Sequence, residues 1–206
     1  MSTEKIYLYP KWIRLWHVLN AILCLALIIT GISLQYSGSS AAIVSFQYSV
    51  KIHNIAGILL SFSYLFFFFG NLFTSNGIHY RPRFAGAIKN IFKQMRYYAF
   101  GIFKKEKAPF PITKENKFNP LQRIAYKYVM YLFIPMVIAT GWLMFYPGSH
   151  INMISWNGMI VTNLFHIIGG FVISMFLVVH LYFCTIGATP TSNFKSIVNG
   201  YHESHD

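Results

Sequence analysis

IVTNLFHIIGGFVISMFLVVHLYFCTIG, residues 160–187, contains no Asp, Glu, Lys or Arg but two histidines, His166 and His180. As an α-helix rising 1.5 Å per residue, the segment is longer than the roughly 30 Å of hydrocarbon in a bilayer. The window free of charged residues is wider still, from Tyr128 to Phe194, and is interrupted by Pro147, Gly148 and Ser149. Such a break marks a turn. Two spans are therefore expected here, 128–147 and 160–187, and the same reading finds two more at 15–35 and 52–73. The expected fold is all-α: an integral membrane four-helix bundle, one domain over residues 1–206.

Composition agrees. Of 206 residues, 55% are apolar and 11% charged, and twenty Phe, fourteen Tyr and four Trp supply bulky side chains suited to hydrocarbon and its interfaces. A soluble enzyme domain is excluded. Cys24 and Cys184 each lie alone in an apolar run, so neither a disulfide framework nor a Cys-x-x-Cys metal site can be built. A cleaved signal is the rival reading of the first span, but its apolar core exceeds the roughly 7–15 residues usual for one. Sixteen of seventeen Lys and Arg fall in the N-terminus, the 74–127 loop or the C-terminal tail, and Lys51 stands in the opposite connection. The positive-inside rule then places both termini and the long loop in the cytoplasm of a bacterial inner membrane protein. The net charge of +12 records this topology and attraction to anionic lipid, not nucleic-acid binding. Within the loop, Phe84, Ile88, Ile91, Phe92, Met95, Ala99 and Ile102 recur at helical spacing opposite Lys89, Lys93 and Arg96, as in an interfacial amphipathic helix. Lys104 to Lys117, with Pro109 and Pro111, reads as irregular.

Histidine in hydrocarbon is costly without a partner. Four qualify: His17 near the cytoplasmic start of span one, His53 near the outer start of span two, and His166 and His180 near the outer and inner ends of span four. The fourteen residues between the last two amount to about 21 Å and nearly four whole turns, putting both rings on one helix face. Helix direction pairs His53 with His166 at the outer depth and His17 with His180 at the inner depth. Each pair suits bis-imidazole ligation of a non-covalent b-type haem, one neutral nitrogen on either side of the iron. Zinc or copper would want three or four ligands at one depth, which neither depth offers. Gly57 and Gly170 follow His53 and His166 by one turn, where small residues serve either clearance for a flat macrocycle or plain helix packing. Arg14, one turn before His17, is either a propionate partner or an interfacial anchor beside Trp12 and Trp16. His79, His150, His202 and His205 are expected in loops or the tail.

At these residues the chain resembles the bacterial di-haem cytochrome b subunits of nickel-iron hydrogenases, respiratory formate dehydrogenases and thiosulfate reductases, over nearly its whole length. The resemblance is carried by Arg14-Leu-Trp-His17, His53 with Gly57, Lys117-Phe-Asn-Pro-Leu-Gln122, and His166 followed by His180. Gly187-Ala-Thr-Pro190 and Gly200-Tyr-His-Glu203 look most like the thiosulfate reductase branch. The resemblance implies two haem b groups and a site for menaquinone or ubiquinone beside the inner haem, with His180 serving iron and quinone pocket alike. Asn119 matches the quinone-contacting asparagine of the formate dehydrogenase subunit, although Leu121 replaces that pocket's glycine and Pro120 precedes it. Asparagine before a helix that opens with proline is equally a helix cap.

Implied, then, is an electron-transfer subunit linking a periplasmic iron-sulfur or multihaem partner, itself joined to a catalytic subunit, to the quinone pool on the cytoplasmic side, in either direction. One alternative is a free-standing di-haem cytochrome that oxidises a small diffusible reductant such as superoxide. Another is a haem-free anchor or transporter whose histidines merely bond between helices, although Pro135 is the sole sign of a broken span.

Overall fold

The structure, a computed structural model, describes residues 4–40, 42–81, 86–146, 158–187 and 189–204. Its helices are α1 (Lys11–Gln35, 25 residues), α2 (Phe46–Phe73, 28), α3 (Ala87–Arg96, 10), α4 (Pro120–Phe145, 26), α5 (Gly158–Cys184, 27) and α6 (Ser192–Asn199, 8). Helices α1, α2, α4 and α5 are each long and apolar enough to cross a membrane, so the expected four-span, all-α bundle is present.

Hydropathy set the span limits too short where charge intrudes. The first begins at Lys11 rather than 15, the second at Phe46 rather than 52, and the third at Pro120 rather than 128, while the fourth runs from Gly158 to Cys184 rather than 160–187. Lys51, Arg123 and Lys127 therefore lie on helical turns and not in connections. Long cationic side chains reach along a helix toward water, so a helix need not stop where its apolar run stops. The break expected at Pro147, Gly148 and Ser149 lies outside the described residues, as do Phe84, His150 and His205.

Asn119 starts α4 with a complete capping box: its Oδ1 accepts from the Gln122 backbone N–H at 2.9 Å, and Gln122 Oε1 accepts from the Asn119 N–H at 3.2 Å. Val129–Phe133 then widens into a π turn just ahead of Pro135. Proline has no N–H to return to the preceding turn, and the wider turn absorbs the mismatch.

Polarity is inverted relative to a soluble protein. Leu15, Ile22, Phe62 and Phe171 are each at least 60% exposed, whereas Thr30, Ser33, Ser49 and Thr140 are buried. One core cluster forms around Trp16 stacked on Phe67, ring centroids 4.3 Å apart, with Ile134, Met130 and Ile173; Leu23, Ala56 and Leu60 make a second. Tryptophan nitrogens are satisfied across helices, Trp16 Nε1 donating to the Ser63 carbonyl and Trp142 Nε1 to Ser61 Oγ, both at 3.0 Å. At Gly169 an added Cβ would come within 2.6 Å of Val137 and 2.7 Å of Met136, so this glycine sets the close approach of α4 and α5.

Two short strands, neither of them expected, join the chain ends. β1 (Glu4–Tyr7) pairs antiparallel with β2 (Tyr201–Ser204), Tyr7 opposite Tyr201. Both terminal segments thus meet at one end of the bundle, together with the start of α4 and most of the lysines and arginines; this is called the basic end below, and the other the far end. The amphipathic helix expected in the long loop is α3, with Ile88, Phe92 and Met95 exposed on its apolar side. It is tied back by Arg96, whose guanidinium meets both carboxylate oxygens of Glu106 at 3.3 Å. Residues 106–119 form neither helix nor strand.

Candidate haem sites

The last helix supplies one imidazole at each depth. His166 of α5 faces His53 of α2 toward the far end, with ring centroids 6.1 Å apart, and His180 of α5 faces His17 of α1 toward the basic end, at 6.2 Å. Both expected pairs are therefore brought together by the fold. Metal bonds to imidazole nitrogen are about 2.0 Å, and a ring nitrogen lies roughly 1.1 Å from its ring centre, so two rings sharing one ion should have centroids about 6.2 Å apart. Both separations match that span, and a direct ring-to-ring hydrogen bond would draw the rings closer. Among the described residues no three His, Cys, Asp or Glu side chains gather in a metal-binding group. The two-imidazole pair is what the fold supplies, and it suits an ion whose other ligands come with a macrocycle.

At the far pair, the outward nitrogens are held by a repeated device that sequence reading missed. Thr30 of α1 donates its hydroxyl hydrogen to the Ala26 carbonyl at 2.6 Å, so its oxygen must accept from His53 Nδ1, 2.9 Å away. Thr140 of α4 does the same: it donates to the Met136 carbonyl at 2.7 Å and accepts from His166 Nδ1 at 2.9 Å. Each threonine hydroxyl also lies near the carbonyl three residues back, Leu27 at 3.3 Å and Val137 at 3.2 Å. Proton placement follows from this bonding. With hydrogen fixed on Nδ1, the proton-free nitrogen of each ring is Nε2, the state a metal ligand requires. The glycine after each threonine lies against the ring, where a Cβ at Gly31 would be 3.5 Å from His53 and one at Gly141 would be 3.4 Å from His166, both ordinary contact distances. The legible signal is a Thr-Gly pair in matching places on α1 and α4, Ala26-Leu-Ile-Ile-Thr30-Gly31 and Met136-Val-Ile-Ala-Thr140-Gly141.

The pair at the basic end is set more loosely. Tyr126 hydroxyl lies 3.4 Å from His180 Nδ1, Phe176 stacks on the His180 ring at 5.6 Å, and Cys184 Sγ is 3.7 Å from Nε2. Trp16 stands edge-on to His17 at 6.5 Å.

The glycines separate by role. A Cβ at Gly57 or at Gly170 would meet no atom within 4 Å, whereas neighbouring Gly169 does the packing between helices. Arg14 is drawn to the chain's end, its Nη1 donating to the Asn199 carbonyl at 3.0 Å, the last carbonyl of α6. Its Nε is buried without a partner among the described residues. Asn119, besides capping α4, donates from Nδ2 to the Tyr98 hydroxyl at 2.7 Å, and Tyr98 packs on Phe183 of α5 with centroids 4.4 Å apart. Its side chain is thus committed on both ends to local structure, within one residue-to-residue step of the turn after His180.

The sequence profile described as prokaryotic cytochrome b561 matches residues 8–200. A putative cytochrome, YdhU, of Escherichia coli (strain K12) is 40% identical over 199 residues, covering 97% of this chain and 75% of that protein. A probable Ni/Fe-hydrogenase B-type cytochrome subunit of Cupriavidus necator is 24% identical over 206 residues, covering 88% of this chain and 79% of that protein.

Proposed function

Because the chain belongs to the prokaryotic cytochrome b561 family, and is thus a multi-pass b-type cytochrome of electron transfer in the bacterial inner membrane, we propose that it holds two haems and links a partner beyond the far end to quinone at the basic end. The observation that carries this reading is the pair of facing imidazoles, 6.1 and 6.2 Å between centroids, at two depths on one helix. His53 and His166 would ligate the outer iron, His17 and His180 the inner one. Bound haem would supply one-electron iron chemistry at each depth.

The protein's own part is to fix ligands and exclude water. Thr30 and Thr140 hold the far rings in the ligating tautomer, and Gly57 and Gly170 leave the space a flat ring system needs. Arg14 offers its unpartnered Nε to a propionate. The basic end faces the cytoplasm by the distribution of lysine and arginine. Menaquinone or ubiquinone would be handled beside His180, where Asn119, Tyr98 and Phe183 frame the approach. The Cupriavidus relative's name, a hydrogenase cytochrome subunit, supports a catalytic redox complex as partner; on our reading a periplasmic iron-sulfur or multihaem subunit of it would stand at the far side. Pyridine haemochrome assay of the purified protein is expected to return two low-spin haems per chain, and a colourless preparation would end the proposal.

Two further expectations test the residues around these rings. Thr30→Val and Thr140→Val keep side-chain volume but remove the acceptor at Nδ1; a less basic imidazole stabilises ferric iron less, so the outer midpoint potential should rise. A tenfold change in the ratio of oxidised to reduced affinity is about 59 mV, and the paired variant should move by that order. Redox titration that leaves the outer potential in place would remove the threonines from this role. Asn119→Asp keeps the Oδ cap but withdraws the donor to Tyr98, so quinone turnover should fall while haem content and melting temperature hold. Unchanged turnover would leave Asn119 as a cap alone.

A further inference from the structure

Lys117, three residues before α4, carries a charge into the protein, and no anion among the described residues meets it. The residue is 3% exposed. Its ammonium lies 4.3 Å from the Tyr9 ring centroid and donates to Asn76 Oδ1 at 3.3 Å. That carboxamide is itself held in place: Asn76 Nδ2 donates to Asn71 Oδ1 at 2.6 Å, and Asn71 Nδ2 to the Tyr131 hydroxyl at 3.1 Å. The oxygen facing Lys117 is therefore committed. An ammonium has three hydrogens to donate, and among the described residues Lys117 has one acceptor and no carboxylate within ion-pair distance. Glu115, two residues away, is fully exposed and engages Thr113 instead.

Burial pushes Lys117 down to about 8, which still leaves it largely cationic at neutral pH. A buried cation without a counter-ion is costly. Beside it opens a cavity of about 370 Å³ lined by Lys114, Asn76, Thr74, Ser75 and Trp12 as well as Lys117. Its lining draws on the start of α1, at Pro10 and Trp12, and on the residues just past the end of α2, at Thr74 and Ser75. This is the level at which two spans leave the hydrocarbon, where lipid headgroups begin.

We propose that this cavity binds one phosphate group, carried by an anionic phospholipid of the adjoining leaflet, as the counter-ion of Lys117. The phosphate oxygens take the ammonium hydrogens that Asn76 leaves free, Ser75 and Thr74 offer hydroxyls, and Lys114 adds charge at the rim, while the acyl chains stay in the adjoining leaflet. Haem ligation is not a premise of this site.

The test is native mass spectrometry of the purified holoprotein, titrated with phosphatidylglycerol or phosphatidylcholine. The wild type should retain one phosphatidylglycerol in preference to phosphatidylcholine. Lys117→Gln should bind it about thirtyfold more weakly, the order expected for losing a charge-assisted hydrogen bond in a water-poor site. Lys117→Arg should restore most of the affinity, and Lys89→Gln, on exposed α3, should change nothing. Should Lys117→Gln fail to fold, Lys114→Gln at the exposed rim provides the reading, with a severalfold loss expected. Competition by inorganic phosphate alone would keep the phosphate site but move its source to solution. Equal retention of both lipids, or wild-type affinity in a folded Lys117→Gln protein, overturns the proposal. So does a shifted inner-haem potential in Lys117→Gln with lipid affinity unchanged, which would make a propionate the counter-ion.

Discussion

His166→Leu is expected to halve the haem content, from two per chain to one, and to leave the inner haem's spectrum and potential in place. The expectation is geometric: His166 and His180 stand about 21 Å apart along α5, so removing one ring would take a ligand from one of the two proposed haems and leave the other's pair intact. Leucine fills similar volume in an apolar helix, and the fold should survive; the hydrogen bond lost at Thr140 is one whose hydroxyl still bonds the Met136 carbonyl. His53→Leu should give the same half-loaded protein, and His17→Leu or His180→Leu the complementary one. Quantitative haemochrome assay with low-temperature spectra checks all four. Loss of both haems from His166→Leu in a protein that keeps its melting profile would contradict the assignment of rings to irons.

The second large effect separates two adjacent glycines. Gly169→Val should break the bundle, because its Cβ alone would come within 2.6 Å of Val137 and the branch would force α4 and α5 apart; overpacking of this kind costs about 1–3 kcal/mol or more. Gly170→Val meets no atom within 4 Å and should leave helix packing intact, yet its side chain enters the face shared with His166, one turn away. Outer haem loading should therefore drop while expression and melting of the membrane-extracted protein stay near wild type. If Gly170→Val loads fully, the clearance reading of that glycine, and of Gly57 with it, is wrong.

The spans and histidine pairs were legible because both depend on period and length: an apolar run long enough to cross, and two rings fourteen residues apart on one helix. What escaped depended on partners. Thr30 and Thr140 look like unremarkable polar positions until their hydroxyl hydrogens are seen bonded to the carbonyls four residues back, leaving an oxygen for the ring. Lys51, Arg123 and Lys127 disguised helical turns as connections, because hydropathy counts a charge and not the stem that carries it outward. The β1–β2 pairing escaped too: four-residue strands at opposite chain ends have no local signal. Asn119 had two open readings, and its capping box establishes one of them without excluding the other.

Both pairs draw one ring from the first half of the chain, on α1 or α2, and the other from α5. On the proposed ligation, a nascent chain that lacks its last span would present a single imidazole at each level, however well the earlier segments have already inserted. Completing either ligand pair would then be a finishing step, and a truncation anywhere before Gly158 would leave neither pair assembled.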